Sequence, residues 1–253
     1  MLVDTHAHLT SEGVVDVAEQ LLERAEKARI SKIVNVCTDA ASLDKGVLLK
    51  NRYPWIYNAA ATTPHDVVAQ GEDFFPAVEQ AVKEKLLIAI GETGLDYFYE
   101  HSPRNVQKEF LSRYFSLALR ANLPLIIHCR DAFADLFAQA DSEYTGAAAL
   151  LHCFTGSLEE AKGVLDRGWL ISFSGIVTYK KSEVLREVAR FVPIDRMVVE
   201  TDTPYLAPKS RRGKQNEPAY IVETASLIAE EKKIPFEEFC ATLSENSCKF
   251  FQF

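Results

Sequence analysis

Eight short apolar runs alternate along this chain with longer amphipathic stretches, and that alternation restricts the possible folds more than any other feature. The runs are Leu2–Thr5, Lys32–Cys37, Ile56–Thr62, Leu86–Gly91, Leu125–His128, Ala147–His152, Trp169–Ser174 and Met197–Glu200. Several contain unbroken apolar segments (LLIAIG, PLIIHC, RMVVE), as strands buried on both faces require. Between them the 3.6-residue period predicts helices at 13–30, 39–51, 71–85, 105–122, 131–142, 157–167 and 181–191. In the first, Val14, Val17, Leu21, Leu22 and Ala25 share one stripe with charges opposite. After the last run a polar loop leads to helices near 217–233 and 235–250, the latter opened by Pro235.

A βαβα alternation of this kind predicts a parallel sheet covered by helices. With 253 residues the chain has the length of one (β/α)₈ TIM-type barrel, about 250 residues. An open doubly wound sheet is the alternative, but it has no reason to use eight similar units. No linker, low-complexity tract or compositional shift interrupts the chain, so residues 1–253 read as one domain of the α/β class.

Composition narrows the setting. Hydrophobic residues make up 47% and charged residues 25%, as in ordinary soluble domains. No apolar run approaches the roughly 20 residues of a membrane span, so no membrane partner is expected. MLVDTHAHL lacks a secretory signal, and five cysteines without paired spacing fit a reducing cytoplasm. A net charge of −8 excludes a protein that coats nucleic acid non-specifically, though not one that grips a few phosphates locally. Nothing in the sequence indicates an oligomeric state.

In a barrel, functional side chains gather where strands end and βα loops begin. Here His6 and His8 follow the first strand, Glu92 the fourth, and Asp202 the eighth, while His128 and His152 end the fifth and sixth. Six nitrogen and oxygen donors therefore converge on one rim, and His65 falls on it beyond the third strand; of the six histidines only His101 is left unplaced. Histidines at i and i+2 on a strand end point the same way. Imidazole with carboxylate suits Zn²⁺, Mn²⁺ or Fe²⁺ better than Ca²⁺. Two divalent metal ions (Zn, Mn or Mg) are expected, with His6, His8 and Asp202 on one, His128 and His152 on the other, and Glu92 bridging. Any one of these histidines alone is more often a hydrogen-bonded loop residue; only their joint placement points to metal. Cys129 and Cys153 each follow a histidine, and alternation turns them away as core residues.

Bridged cations acidify a shared water, giving a hydroxide nucleophile, so the reaction class is hydrolysis. Glu92 and Asp202 are the candidate catalytic residues, Asp202 also as proton acceptor. Lys209, Arg211, Arg212 and Lys214 crowd the loop after the eighth strand, a frequent phosphate site of this fold, with Gly213 allowing close backbone approach. A solvated charged loop is the bland reading of the same residues. His65, Arg130, Arg212 and Lys214 are the candidate substrate contacts.

DTHAHL, GETGLDY, IIHCRDA, LLHCFTG, ETDTPYLAP and RGKQNEPAYI, in that order, resemble the TatD family of metal-dependent deoxyribonucleases, amidohydrolase-like TIM barrels. The resemblance runs from residue 2 to SENSCKFF near the C-terminus. It implies a cytoplasmic enzyme that hydrolyses DNA phosphodiesters at ends or in single strands, as a 3′-5′ exonuclease. It also implies the ligand set His6, His8, Glu92, His128, His152 and Asp202. One departure stands out: the family's His-Pro-His after the third strand is Thr63-Pro64-His65 here, and threonine cannot act as acid or base near neutral pH. The competing readings are hydrolysis of another ester, lactone, amide or phosphotriester, and a metal-binding protein without turnover. Many barrels of the first kind bridge their metals with a carboxylated lysine at the end of strand four, where this chain has Glu92.

Overall fold

The computed structural model describes residues 1–253. The strands are β1 (Leu2–Ala7), β2 (Ile30–Cys37), β3 (Ile56–Ala60), β4 (Leu87–Asp96), β5 (Leu125–Arg130), β6 (Ala149–Leu151), β7 (Leu170–Phe173) and β8 (Met197–Val199). All pair in parallel in chain order, forming the wall of a nearly closed (β/α)₈ barrel. Closure between β8 and β1 runs through residues just beyond the last strand. The Asp202 amide donates to His6 O at 2.9 Å, and the His8 amide to Thr203 O at 2.8 Å. The two ends of the wall therefore meet at the rim where the candidate ligands lie.

The outer layer comprises α1 (Ala18–Lys27), α2 (Ala40–Arg52), α3 (Val67–Lys83), α4 (Arg104–Ala121), α5 (Phe133–Glu143), α6 (Leu158–Asp166), α7 (Glu183–Phe191), α8 (Ile221–Lys232) and α9 (Phe236–Phe251). Capping boxes start two of them: Asp39 accepts from the Ser42 amide at α2, and Ser157 from the Glu160 amide at α6. Inside the barrel, Val34, Val36, Ala59, Ala89, Ile126, Leu150, Leu170 and Val198 form a separate apolar cluster. Phe251 of α9 joins that cluster, and Phe253 stacks on Tyr57 of β3 with ring centres 4.6 Å apart. The carboxyl-terminal aromatics thus close the floor of the barrel.

All eight expected strands form, with shifted ends. β4 continues past Gly91 to Asp96, so Glu92 lies within a strand instead of after one. β6 and β8 are only three residues each. The first helical stretch is split into a 3₁₀ turn at Val15–Val17 and α1. α3 starts four residues before the expected 71 and holds both Gly71 and Pro76. A Cβ at Gly71 would come within 2.4 Å of Phe110 Cζ, so close packing of α3 on α4 accounts for a glycine inside the helix. The basic loop carries a 3₁₀ turn at Lys209–Arg211. No helix is long and apolar enough to cross a membrane.

Candidate metal centre

Irregular pairing in β4 aims the central carboxylate. Ile90 pairs with Leu125, both facing the helices, so simple alternation would turn residue 92 outward too. The register shifts between Ile90 and Thr93, after which Gly94 faces His128 and Asp96 faces Arg130. This bulge reverses the parity of the strand and points Glu92 and Asp96 into the barrel mouth. Gly94, at φ 150°, lies against His128: a Cβ there would fall 1.9 Å from the His128 carbonyl oxygen. Asp202 holds a left-handed backbone at φ 60°, which aspartate tolerates better than most residues.

The six predicted donors come together. Glu92 Oε2 lies 3.3 Å from His6 Nε2 and 3.8 Å from His8 Nε2. Its other oxygen, Oε1, lies 3.0 Å from His128 Nδ1 and 3.1 Å from His152 Nε2. Asp202 Oδ1 stands 3.4 Å from His8 Nε2 and 3.7 Å from His6 Nε2. All but His128 are less than one-tenth exposed. One carboxylate thus separates two donor groups, one oxygen for each.

Proton placement shows what this arrangement lacks. His8 Nδ1 is 3.0 Å from Val36 O, which can only accept, so His8 carries its proton there and turns a lone pair inward from Nε2. His128 Nε2 donates to Asp96 Oδ2 at 2.9 Å, and His152 Nδ1 to Glu200 Oε1 at 3.2 Å. Their inner nitrogens then also present lone pairs. Lone pairs consequently face one another at 3.3 Å between His128 and His152 beside an anionic carboxylate, and the His8 lone pair meets His6 Nε2 at 3.2 Å, in a ring whose Nδ1 is buried without a partner. Such a group is satisfied by cations or by additional protons. Outer hydrogen bonds of this type fix the orientation of metal-binding imidazoles, and several triads here, including His6–His8–Glu92 and Glu92–His128–His152, can hold an ion.

The electrostatics agree. Burial alone would lower the affinity of His8, His128 and His152 for protons. Nearby carboxylates outweigh it and raise all three, through Asp202 for His8, Asp96 and Glu92 for His128, and Glu92 and Glu200 for His152. His6 is lowered by burial and by the adjacent His152. Burial opposes ionisation of Glu92, but His152, His128 and His6 hold it well below the ordinary carboxylate range. The centre therefore demands positive charge.

Three carboxylates escaped the sequence reading: Asp96, Glu200 and Asp4. Asp96 and Glu200 orient His128 and His152. Asp96 also accepts from the amides of Phe98 and Tyr99. Burial works against its charge, yet the His128 and Tyr99 hydrogen bonds bring it down to about 2. Asp4 accepts from Thr201 N at 2.9 Å, Thr201 Oγ1 at 2.6 Å and His6 N at 3.3 Å, tying β1 to the end of β8. Spacing carries no signal for such partners, although GETGLDY and VVETD contain two of them.

A cavity of about 440 Å³ opens over the centre, lined by Thr63, His65, Tyr99, Arg130 and Tyr205 among others. His65 Nε2 is 3.6 Å from Asp96 Oδ2. His101 joins the rim, its ring 5.4 Å from that of His65. Thr63 donates from Oγ1 to Asp66 at 3.0 Å. Arg212 and Lys214 are not among the lining residues; the Arg212 guanidinium lies over Tyr179, and Arg211 pairs with Glu223 at 3.0 Å. Cys129 is buried in the core as expected, though it touches the cavity wall. Cys153 is not a core residue: it lines the cavity with Sγ 3.2 Å from Ser174 Oγ, because a left-handed backbone at φ 43° breaks the alternation after His152.

A barrel with such a centre on its rim has the architecture of a metal-dependent hydrolase. Residues 3–252 match the family model described as TatD related DNase, and the chain belongs to that family. The uncharacterized metal-dependent hydrolase YabD of Bacillus subtilis is 37% identical, covering 100% of this chain and 99% of its own length. The 3′-5′ ssDNA/RNA exonuclease TatD of Pectobacterium parmentieri is 32% identical over 90% of this chain and 91% of its own. The crystal structure of YjjV, a TatD homolog from Escherichia coli K12, superposes with a TM-score of 0.94 at 25% identity, covering 100% of this chain and 98% of that one.

Proposed function

We propose that this chain is a divalent-metal-dependent deoxyribonuclease that removes nucleotides from single-stranded or frayed DNA, working from the 3′ end. The observation that carries the reading is the division of Glu92, one oxygen toward His6 and His8 and the other toward His128 and His152. That arrangement supports two ions, Zn, Mn or Mg, with Asp202 completing the first group. When bound, paired cations supply Lewis acidity and an acidified water. Asp96, Glu200 and the Val36 carbonyl hold the imidazoles in the tautomers that binding needs. Asp202 is the candidate acceptor for the proton of the attacking water.

The cavity is large enough for a nucleotide, within the usual 300–1,000 Å³ of ligand pockets. Arg130 reaches it without any carboxylate partner of its own, which suits a phosphate contact alongside His65. Arg212 and Lys214 lie farther out and suit the strand beyond the cleaved bond. The name of the Pectobacterium relative favours the same substrate class. Hydrolysis of another ester or lactone is the second reading; against it stands Glu92 in the bridging place with no lysine lining the cavity.

The test is to strip the protein of metal, reload it separately with Mg²⁺, Mn²⁺ and Zn²⁺, and follow end-labelled single-stranded DNA beside a panel of carboxylic esters, lactones and phosphotriesters. Metal-dependent shortening of the DNA is the expected result. Turnover confined to the ester panel would replace this reading with the second one.

A further inference from the structure

Large apolar side chains are normally covered, yet Phe98 and Tyr99 stand 54% and 52% exposed on the rim just beyond β4. Both are packed against polar and aromatic neighbours. Phe98 meets Tyr99 edge-on with ring centres 4.8 Å apart, and His101 stacks on Tyr99 at 5.4 Å with the planes 8° from parallel. The Arg130 guanidinium lies 3.8 Å from the centre of the Phe98 ring and 5.1 Å from that of Tyr99. Their backbone is pinned by Asp96 Oδ1, which accepts from the Phe98 amide at 3.0 Å and the Tyr99 amide at 2.8 Å. The other oxygen of the same carboxylate, Oδ2, holds His128 at 2.9 Å. One buried carboxylate therefore sets both an inner imidazole of the centre and the outer aromatic cluster.

An exposed, braced ring beside an unpaired arginine at the mouth of a nucleotide-sized cavity has the chemistry of a base-stacking platform. Every nucleobase offers a π-face, whereas a base held in a duplex cannot lie flat on a rim residue. We propose that Tyr99, braced by Phe98 and His101 and flanked by Arg130, stacks an unpaired base of single-stranded DNA next to the phosphate bound in the cavity. The inference rests on the deoxyribonuclease reading and adds the feature that selects unpaired strands. Asp96 acts as a positioning residue, setting the distance between the stacked base and the metal centre.

The experiment uses a phosphorothioate oligothymidine of about twelve nucleotides, within the span such sites cover. It carries 2-aminopurine, whose fluorescence falls on stacking, at its terminal or penultimate 3′ position. Wild-type protein is expected to quench one of the two probes. Tyr99→Ala should abolish that quenching and raise KM for unmodified single-stranded DNA about tenfold, with a much smaller change in kcat, since base–aromatic stacking contributes on this scale. Tyr99→Phe should restore both. Equal quenching by wild type and Tyr99→Ala, or no quenching by wild type at either position, would overturn the platform. Quenching that depends on Tyr99 in a protein that cleaves no DNA with any ion would uphold the platform and overturn the nuclease reading instead.

Discussion

The two ends of the barrel are built on the same strands and do opposite things with their inward side chains. Toward the floor, Val34, Ala59, Ala89, Ile126, Leu150 and Val198 fill the interior, and Phe251 seals it. Toward the mouth, the next inward positions of the same strands carry His128 and, past the bulge, Glu92 and Asp96. Burying apolar groups stabilises the fold outright. Burying lone pairs around a carboxylate does so only with cations or protons to compensate. Stability thus resides at one end and chemistry at the other, and mutations should separate them.

The largest effect is expected at the mouth. Glu92→Ala should lower hydrolysis by at least about a thousandfold and reduce metal content, measured by elemental analysis, while leaving the circular dichroism spectrum unchanged. Full activity in that variant would remove the bridging role. Asp96→Ala should weaken metal affinity by about 10- to 100-fold, the usual range for a lost partner of a metal-binding histidine; titration with Zn²⁺ against a competing chelator reads this directly. At the floor, Phe251→Ala should lower unfolding free energy by about 3–5 kcal/mol without altering metal stoichiometry. A loss of metal there would mean the two ends are coupled.

Acidity sharpens the contrast. Because carboxylates raise His8, His128 and His152 above the ordinary 6.5, the metal-free fold gains from their protonation. That contribution is complete below pH 6.5 and is lost as pH rises through the folded-state values. Metal must displace the same protons, so the rise in Tm on adding Zn²⁺ or Mn²⁺ should be larger at pH 8 than at pH 6. A shift independent of pH would mean that those imidazoles do not bind the ion. The smallest effect is expected for Thr63→His, whose hydroxyl now only anchors the turn to Asp66; metal content should stay constant, and any change should appear in the rate on DNA.

Much of the barrel could be read in advance, since strands buried on both faces leave apolar runs and their rim residues follow directly. His6, His8, His128 and His152 all stood at strand ends in the sequence, and the structure gathers them. Glu92 was reachable only because it seemed to follow a strand; the bulge that aims it inward leaves no mark beyond the glycines of GETGLDY. Asp96, Glu200 and the aromatic pair Phe98–Tyr99 were not legible, because their roles depend on pairing across strands rather than spacing along one. The basic loop shows the converse: a dense run of charge in the sequence places Arg212 and Lys214 outside the cavity wall.

The seam between β1 and the end of β8 has a consequence for the making of the protein. It joins His6 to Asp202 through adjacent backbone hydrogen bonds, across 196 residues of chain (202 less 6). During synthesis at roughly 5–20 residues per second, the first histidines emerge some 10–40 seconds before the last carboxylate. Throughout that interval the nascent chain displays a His-x-His pair with no partner from the far end of the barrel. A metal site that draws on both His6 and Asp202 would therefore be complete only when the ring closes.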